Sequence, residues 1–263
     1  MKIFLAGGNN KNVIVFCEKY GVHRLYSFYN EQWYIKKWNS DKSLLMVDSG
    51  AHSYNKVDLI YSTATKYQKK LKPLEEYIKE YYDYLSTAPT EHIYVELDVY
   101  TRVKEEEISY WNKLVREKNK GIKIVRVYHT VLDNGSLEVL KRWIKEGEDY
   151  IGLASDSHPY FDKIFSITKD EIKVHGFALN YNKYLHRYPF YSVDSTAPIA
   201  TTMYGIVFVD KFKKLTKPKM IRERRPEIFI DKLARIEQAV YYTKLREEYY
   251  TELWRKRGVK WDE

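Results

Sequence analysis

Six short apolar runs, each closed by a small or acidic polar cluster, constrain the fold of this chain more than any other feature. In chain order they are LLMVDSG, HIYVELD, IKIVRVYH, YIGLAS, IKVHG and FYSVDS. A run of four to six apolar residues that ends in Asp, His, Ser or Gly is typical of a buried parallel strand at its carboxyl end. Most segments between the runs are long enough for a helix. The alternation predicts an α/β fold, namely a (β/α)8 TIM barrel with a C-terminal helical extension.

The predicted barrel occupies residues 1–210 and is followed by a basic connector and a long helix in residues 211–263. We expect this helix, from Glu227 to about Arg257, to pack on the barrel and not to form a separate domain. The segment RLYSFYN, residues 24–30, is an extra strand candidate before the second barrel strand. The eight predicted strands are Lys2–Ala6, Leu44–Asp48, Ile93–Asp98, Lys123–His129, Tyr150–Ala154, Lys173–Gly176, Phe190–Asp194 and Ile206–Val209.

Composition bounds the class of protein and its partners. The 263 residues suit one barrel, and the net charge of +9 favours a polyanionic partner, with the basic residues concentrated in Lys211–Arg225. The chain is rich in Lys and Tyr, and codon usage in an AT-rich genome is the alternative cause of this excess. A single cysteine, Cys17, excludes an internal disulfide and a Cys-rich zinc site and fits a reducing cytoplasm. We expect a cytoplasmic protein without a membrane partner, because no apolar run approaches the length of a membrane span.

Three of the runs close in Asp, which indicates an enzyme, since TIM barrels carry their chemistry on the loops after the strands. Asp48, followed by Ser and Gly, suits acid/base work, and an Asx-turn or helix N-cap is the alternative. Asp98, predicted on the same strand face as Glu96, would accept hydrogen bonds from a purine; the alternative is an ion pair with Arg126. Asp194 is a candidate nucleophile toward a sugar carbon, with capping of the following segment as the alternative.

Histidines and glycines also close predicted strands. His129 and His175 would hydrogen-bond a ligand, although a lone histidine is more often a satisfied structural residue. Gly152 and Gly176 would let a flat ligand approach the backbone closely. The seven histidines have no Cys or His partners at ligand spacing, so no metal site is predicted.

Five of these motifs, in this order, resemble the tRNA-guanine transglycosylase superfamily. The resemblance is closest to its smaller DNA-modifying branch, which inserts 7-deazaguanines into phage or bacterial DNA. It extends from about Leu44 to Thr196. The matching segments are Asp48-Ser49-Gly50, Leu97-Asp98, Gly152-Leu153-Ala154, His175-Gly176 and Ser192-Val193-Asp194-Ser195.

The resemblance implies exchange of guanine in DNA for a free 7-deazaguanine base through a covalent aspartyl-glycosyl intermediate, without a cofactor. Asp194 is then the nucleophile and Asp48 the acid/base group. The implied substrate-binding residues are Ser49, Gly50, Asp98, His129, Gly152, Leu153, His175 and Gly176. The target nucleotide would be flipped out of the helix. The expected partners are DNA, the free base and, as in the tRNA relatives, a second copy in a homodimer.

Two departures favour DNA over tRNA as the substrate. The tRNA enzymes have a Gln-Gly pair where this chain has His129-Thr130, and they carry a C-terminal Cys-rich zinc subdomain that has no counterpart here. Three alternatives stay open: tRNA as the substrate, a catalytically inactive nucleic-acid-binding barrel, and a hydrolase or aldolase acting on small phosphorylated molecules. A solvated linker is the alternative role of the connector. The predicted DNA-binding residues of the connector are Lys213, Lys214, Lys217, Arg222, Arg224 and Arg225.

Overall fold

A computed structural model describes residues 1–7, 11–38, 42–54, 72–169, 171–203, 207–208, 222–223 and 232–261. Eight strands form a closed parallel barrel in chain order, and the last strand pairs with the first. The predicted TIM-barrel fold is therefore confirmed. The barrel strands are β1 (Lys2–Ala6), β2 (Arg24–Ser27), β3 (Leu45–Asp48), β4 (Ile93–Val95), β5 (Lys123–Tyr128), β6 (Tyr150–Leu153), β7 (Lys173–Gly176) and β8 (Ser192–Ser195).

Helices follow most of the strands. Pro73 directly precedes α3, because proline is tolerated at the start of a helix and not in its interior. The predicted start of the last helix, at Glu227, lies outside the described residues. None of the described helices is long and apolar enough to cross a lipid bilayer. The labelled helices are α1 (Lys11–Tyr20), α2 (Phe28–Lys36), α3 (Leu74–Leu85), α4 (Glu105–Lys118), α5 (Glu138–Lys145), α6 (Phe161–Thr168), α7 (Asn182–Arg187), α8 (Ala197–Met203) and α9 (Lys232–Lys256).

The order of the barrel strands corrects the prediction at two places. The extra candidate is the second barrel strand: Leu5 of β1 lies in register with Arg24 of β2. The barrel therefore closes at β8, which pairs with β1 along its whole length. The predicted eighth strand, Ile206–Val209, is wrong. Residues Val207–Phe208 (β9) pair in antiparallel fashion with Arg222–Glu223 (β10) in a separate two-stranded sheet.

The chain divides into two compact units. The first contains β1, α1, β6 to β8 and α5 to α9. In it α9 packs on α1 and β1, and Glu247 Oε2 of α9 accepts a hydrogen bond of 2.8 Å from the Ile3 N–H. Cys17 is buried there, and burial raises the pKa of its thiol to about 12. The apolar residues around it are Leu5, Val13, Val22, Ile236 and Val240.

The second unit contains α2, α3, β4 and α4, and tyrosines form much of its core. The rings of Tyr54 and Tyr77 are stacked with their centroids 5.0 Å apart. The buried hydroxyls donate to backbone carbonyls: Tyr77 to Ser49, and Tyr81 to Val95 at 2.5 Å. These bonds satisfy phenol groups that would otherwise be costly to bury. Part of the tyrosine excess therefore has a structural reason.

We predict that His23 makes the stability of the first unit fall at acidic pH. Its side chain is buried, and Nδ1 accepts a hydrogen bond of 2.9 Å from the Leu44 N–H, so the native ring is neutral. Burial lowers the pKa of His23 from 6.5 to about 4, although the nearby Glu247 opposes this shift. The unfolded chain thus binds a proton between these pH values that the folded chain does not. The stabilisation is present above pH 6.5 and is lost as the pH falls toward 4.

We expect His23 to account for on the order of 1–3 kcal/mol of the free energy of unfolding lost between pH 7 and pH 4.5. The variant His23→Gln keeps an acceptor for the Leu44 N–H but does not titrate, so it should lose less over this interval. Urea unfolding of both proteins at the two pH values measures the difference. Equal losses in the two proteins would contradict this role of His23.

Candidate functional site

Among the predicted site residues, Asp194 has the best-defined hydrogen-bond environment. It is the third residue of β8 and is only 7% exposed. Its Oδ1 accepts a hydrogen bond of 2.9 Å from the Ala178 N–H and lies 3.2 Å from Nε2 of His175. Within the part of the chain that is described, both hydrogen bonds go to Oδ1 and none goes to Oδ2. One carboxylate oxygen is anchored and the other is available to a ligand.

His175 links Asp194 to two further side chains. It is completely buried on β7, and its Nδ1 lies 2.7 Å from Oγ of Ser192. Oγ of Ser192 lies in turn 2.5 Å from the hydroxyl of Tyr150. The sheet register explains the proximity, because His175 pairs directly with Ser192 on β8. Both ring nitrogens have protein partners, which fits the alternative of a satisfied histidine; contact between His175 and a substrate stays a prediction.

The turn after β7 holds the backbone donor to Asp194 in an unusual conformation. Ala178 has φ +51°, in the left-handed region, which costs a non-glycine residue about 1–2 kcal/mol. Strain of this kind is concentrated at functional sites. A Cβ at Gly176 would lie 2.7 Å from Cδ2 of Leu179 and 3.1 Å from Cε1 of Phe190, so a larger residue would displace these side chains.

Gly152 and Leu153 lie in β6, next to the histidine strand. Gly152 is in register with His175, and Leu153 with Gly176. All these residues are buried. The structure therefore brings the Gly-Leu, His-Gly and Asp motifs of the first unit together on three adjacent strands. The contact of their backbone with a base stays a prediction.

His129 follows β5 and has an acidic neighbour that the sequence did not indicate. Its Nδ1 lies 3.6 Å from Oδ1 of Asp156, and a quarter of its side chain is exposed. Oδ2 of Asp156 is fixed by the Thr130 N–H at 2.8 Å and by the Thr130 hydroxyl at 2.6 Å. At 3.6 Å the contact between His129 and Asp156 is too long for a hydrogen bond. The substrate-binding role of His129 stays a prediction.

Asp48 ends β3 in the second unit. Its side chain forms an Asx-turn, which was the alternative to acid/base work. Its Oδ2 accepts a hydrogen bond of 3.2 Å from the Gly50 N–H, and Ser49 Oγ lies 3.4 Å from the Ala51 nitrogen. Gly50 has φ +82°, and a Cβ there would lie 2.5 Å from Cβ of Tyr29. Glycine is therefore required by conformation and by space. Acid/base work by Asp48 stays a prediction.

Glu96 and Asp98 have different surroundings, contrary to the expectation that they share a strand face. Regular β4 ends at Val95, so two-residue alternation does not extend to Asp98. Glu96 is completely buried and forms the ion pair with Arg126 that was the alternative, whereas Asp98 is half-buried. Base binding by Asp98 stays a prediction. The donors to Glu96 are the Val127 N–H at 2.6 Å, Asn112 at 2.6 Å, Tyr100 at 2.5 Å and Arg126 Nε at 3.3 Å.

The predicted DNA-binding residues lie almost entirely outside the described residues. Only the backbone of Arg222 is described, in β10. The residues outside are Lys213, Lys214, Lys217, Arg224 and Arg225. Phosphate binding by the connector therefore stays a prediction.

No group of three or more metal-ligating side chains occurs within the described ranges.

Comparisons of the chain with protein-family models, curated proteins and solved structures found no match. The function proposed for the chain therefore depends on the side chains at the strand ends.

Proposed function

We propose that the protein is a guanine transglycosylase that exchanges guanine in DNA for a 7-deazaguanine base through a covalent aspartyl-glycosyl intermediate. The observation that carries the proposal is the one-sided anchoring of Asp194. Its Oδ1 is held by His175 and the Ala178 N–H, and its Oδ2 has no hydrogen bond from any described residue. A nucleophilic carboxylate needs this combination of a fixed orientation and one available oxygen.

The reaction consists of two displacements at C1′ of a deoxyguanosine. Oδ2 of Asp194 attacks C1′, the bond from C1′ to N9 breaks, and guanine leaves after N9 is protonated. An incoming 7-deazaguanine then loses its N9 proton and attacks C1′, which breaks the ester bond to Asp194. Two inversions give net retention, by the same logic as in retaining glycosidases. The phosphodiester backbone stays intact throughout.

Two further carboxylates, Asp48 and Asp98, have the remaining roles of the proposal. Asp48 donates the proton to the leaving guanine and accepts the proton of the incoming base. The hydrogen bond from the Gly50 N–H to Oδ2 holds its carboxylate at the end of β3. Asp98 accepts hydrogen bonds from the N1–H and the exocyclic amine of the base. Its partial exposure is compatible with contact to a ligand, whereas Glu96 is enclosed by protein donors.

Labelled guanine distinguishes the proposal from its alternatives. Purified protein is incubated with radiolabelled guanine and with double-stranded DNA, single-stranded DNA or tRNA, and the label in each polymer is measured. Incorporation into DNA supports the proposal, and incorporation only into tRNA assigns the chain to the RNA-modifying enzymes. Binding of nucleic acid without incorporation into any of the three would contradict transglycosylation and favour an inactive barrel.

Asp98→Asn should weaken base binding and relax base choice, because the amide presents a donor where the carboxylate accepts. An unpaired polar group in a base site costs about 1–3 kcal/mol, which corresponds to roughly a tenfold to hundredfold rise in the KM of the base. The measurement compares exchange rates for guanine, 7-deazaguanine and adenine in the variant and the wild type. Unchanged KM values and an unchanged preference would assign Asp98 a structural role.

A further inference from the structure

We propose that Tyr150, Ser192 and His175 form a one-way chain of hydrogen-bond donors that holds Oδ1 of Asp194 and leaves Oδ2 to attack. The three side chains are positioning residues. Their catalytic role rests on the proposed function. The direction of donation along these hydrogen bonds is a property of the free protein and can be measured without substrate.

The four side chains form a continuous line across three adjacent strands of the first unit. The Tyr150 hydroxyl lies 2.5 Å from Oγ of Ser192, and Oγ lies 2.7 Å from Nδ1 of His175. Nε2 on the other side of the ring lies 3.2 Å from Oδ1 of Asp194. The chain is isolated from water, because His175 and Ser192 are completely buried.

The hydroxyl of Tyr150 fixes the direction of the chain. Burial raises the pKa of Tyr150, so the phenol keeps its proton, and Ser192 Oγ is its hydrogen-bond partner among the described residues. Tyr150 therefore donates to Ser192. Ser192 has one hydroxyl proton, and it donates this proton to Nδ1 of His175. The imidazole then carries its proton on Nε2 and donates to Oδ1 of Asp194.

The opposite direction is disfavoured at both ends. It would leave the buried proton of Tyr150 without an acceptor among the described residues. It would also turn the lone pair of Nε2 toward Oδ1 of Asp194, which is repulsive for an ionised carboxylate. With the assigned direction Oδ1 accepts two N–H donors, one from His175 and one from Ala178, and the carboxylate is fixed in one orientation.

The same direction separates this arrangement from a Ser-His-Asp hydrolase triad, which has the same three residue types. In a triad the serine hydroxyl is accessible to substrate and loses its proton to the histidine during attack. Here Ser192 is completely buried, and its Oγ accepts from a tyrosine. No proton has to move along the chain, and the group presented to a substrate is the carboxylate.

The imidazole tautomer tests the direction in the free protein. We expect the ¹⁵N and ¹H NMR spectrum of histidine-labelled protein at neutral pH to show His175 protonated on Nε2 with Nδ1 as an acceptor. The variant Tyr150→Phe should shift the Nδ1 resonance, because Ser192 is then free to turn its proton elsewhere. A His175 protonated on Nδ1, alone or together with Nε2, would overturn the proposal.

Kinetics test the positioning role. We expect Ser192→Ala and Tyr150→Phe to lower the kcat of base exchange about 10- to 100-fold with little change in the KM for DNA, since misorientation of a reacting group has effects of this size. Tyr94→Phe is the matched control, because Tyr94 is also buried and donates its hydroxyl to the Pro89 carbonyl. It should leave kcat unchanged. Unfolding curves establish that each variant is folded, and Tyr150→Phe retains the test if Ser192→Ala does not fold.

The outcomes separate the two proposals. An unchanged kcat in folded Tyr150→Phe, or a kcat loss of equal size in Tyr94→Phe, would overturn the positioning role. A wild-type protein that exchanges no base but shows the Nε2–H tautomer would refute the proposed function and leave the donor chain supported. Active base exchange by a protein with the Nδ1–H tautomer would support the proposed function and refute the donor chain.

Discussion

Replacing Asp194 with asparagine is expected to lower the rate of base exchange by roughly 10⁴-fold, the scale of loss seen when a nucleophile is removed. The asparagine oxygen still accepts from the Ala178 N–H and from His175, so the folded state should be preserved. Incorporation of labelled guanine into DNA measures the rate. The control is Asp83→Asn, which changes an exposed aspartate on α3. A rate near that of the wild type in Asp194→Asn would remove Asp194 from the mechanism.

Replacing Glu96 with alanine is expected to destabilise the protein by about 3–5 kcal/mol, the largest effect that we predict on stability. The substitution removes the acceptor for four donors, three of them buried, including the guanidinium of Arg126, which is only 2% exposed. Glu105 and Ser109 still accept from Arg126, each at 2.6 Å, so the arginine is not left without partners. Urea unfolding measures the loss in free energy.

The matched control for Glu96 is Glu106→Ala on the exposed face of α4, where we expect a change within about 0.5 kcal/mol. Similar unfolding free energies for the two variants would contradict the structural role of Glu96. The result for Glu96→Ala, compared with that for Asp98→Asn, also distinguishes the roles of Glu96 and Asp98. We expect the first to act on stability and the second on base choice, although only one residue lies between them.

Strand positions were predictable where the hydrophobic pattern was strong. β1 and β7 begin and end as predicted, and five others agree to within about three residues. β2 was only an uncertain candidate because it contains Arg24, a charged residue that is completely buried. Burial of a charge depends on tertiary partners that no sequence pattern displays. Val207–Phe208 has the apolar pattern of a barrel strand, but by then the barrel is already closed by β8.

The candidate site was predictable as residue types but not as contacts. Strand-end positions indicated Asp194 and His175 separately, and only the register of β7 and β8 shows that they meet. Ser192 lies two residues before Asp194 and therefore faces the same side of its strand, which was a usable signal. The Ala178 N–H and Asp156 had no such signal, because loop geometry positions them. The structural role of Glu96 was not visible in the sequence because its donors come from α4 and β5, which are distant in sequence.

Trapping the covalent intermediate tests the central claim most directly. The protein is incubated with guanine-containing DNA, and the released guanine is removed so that no base returns. The denatured complex is then digested and analysed by mass spectrometry. We predict a deoxyribosyl adduct on the peptide that contains Asp194, and no adduct in Asp194→Asn. Active base exchange with the adduct on another residue, or with no adduct under any trapping condition, would contradict the claim.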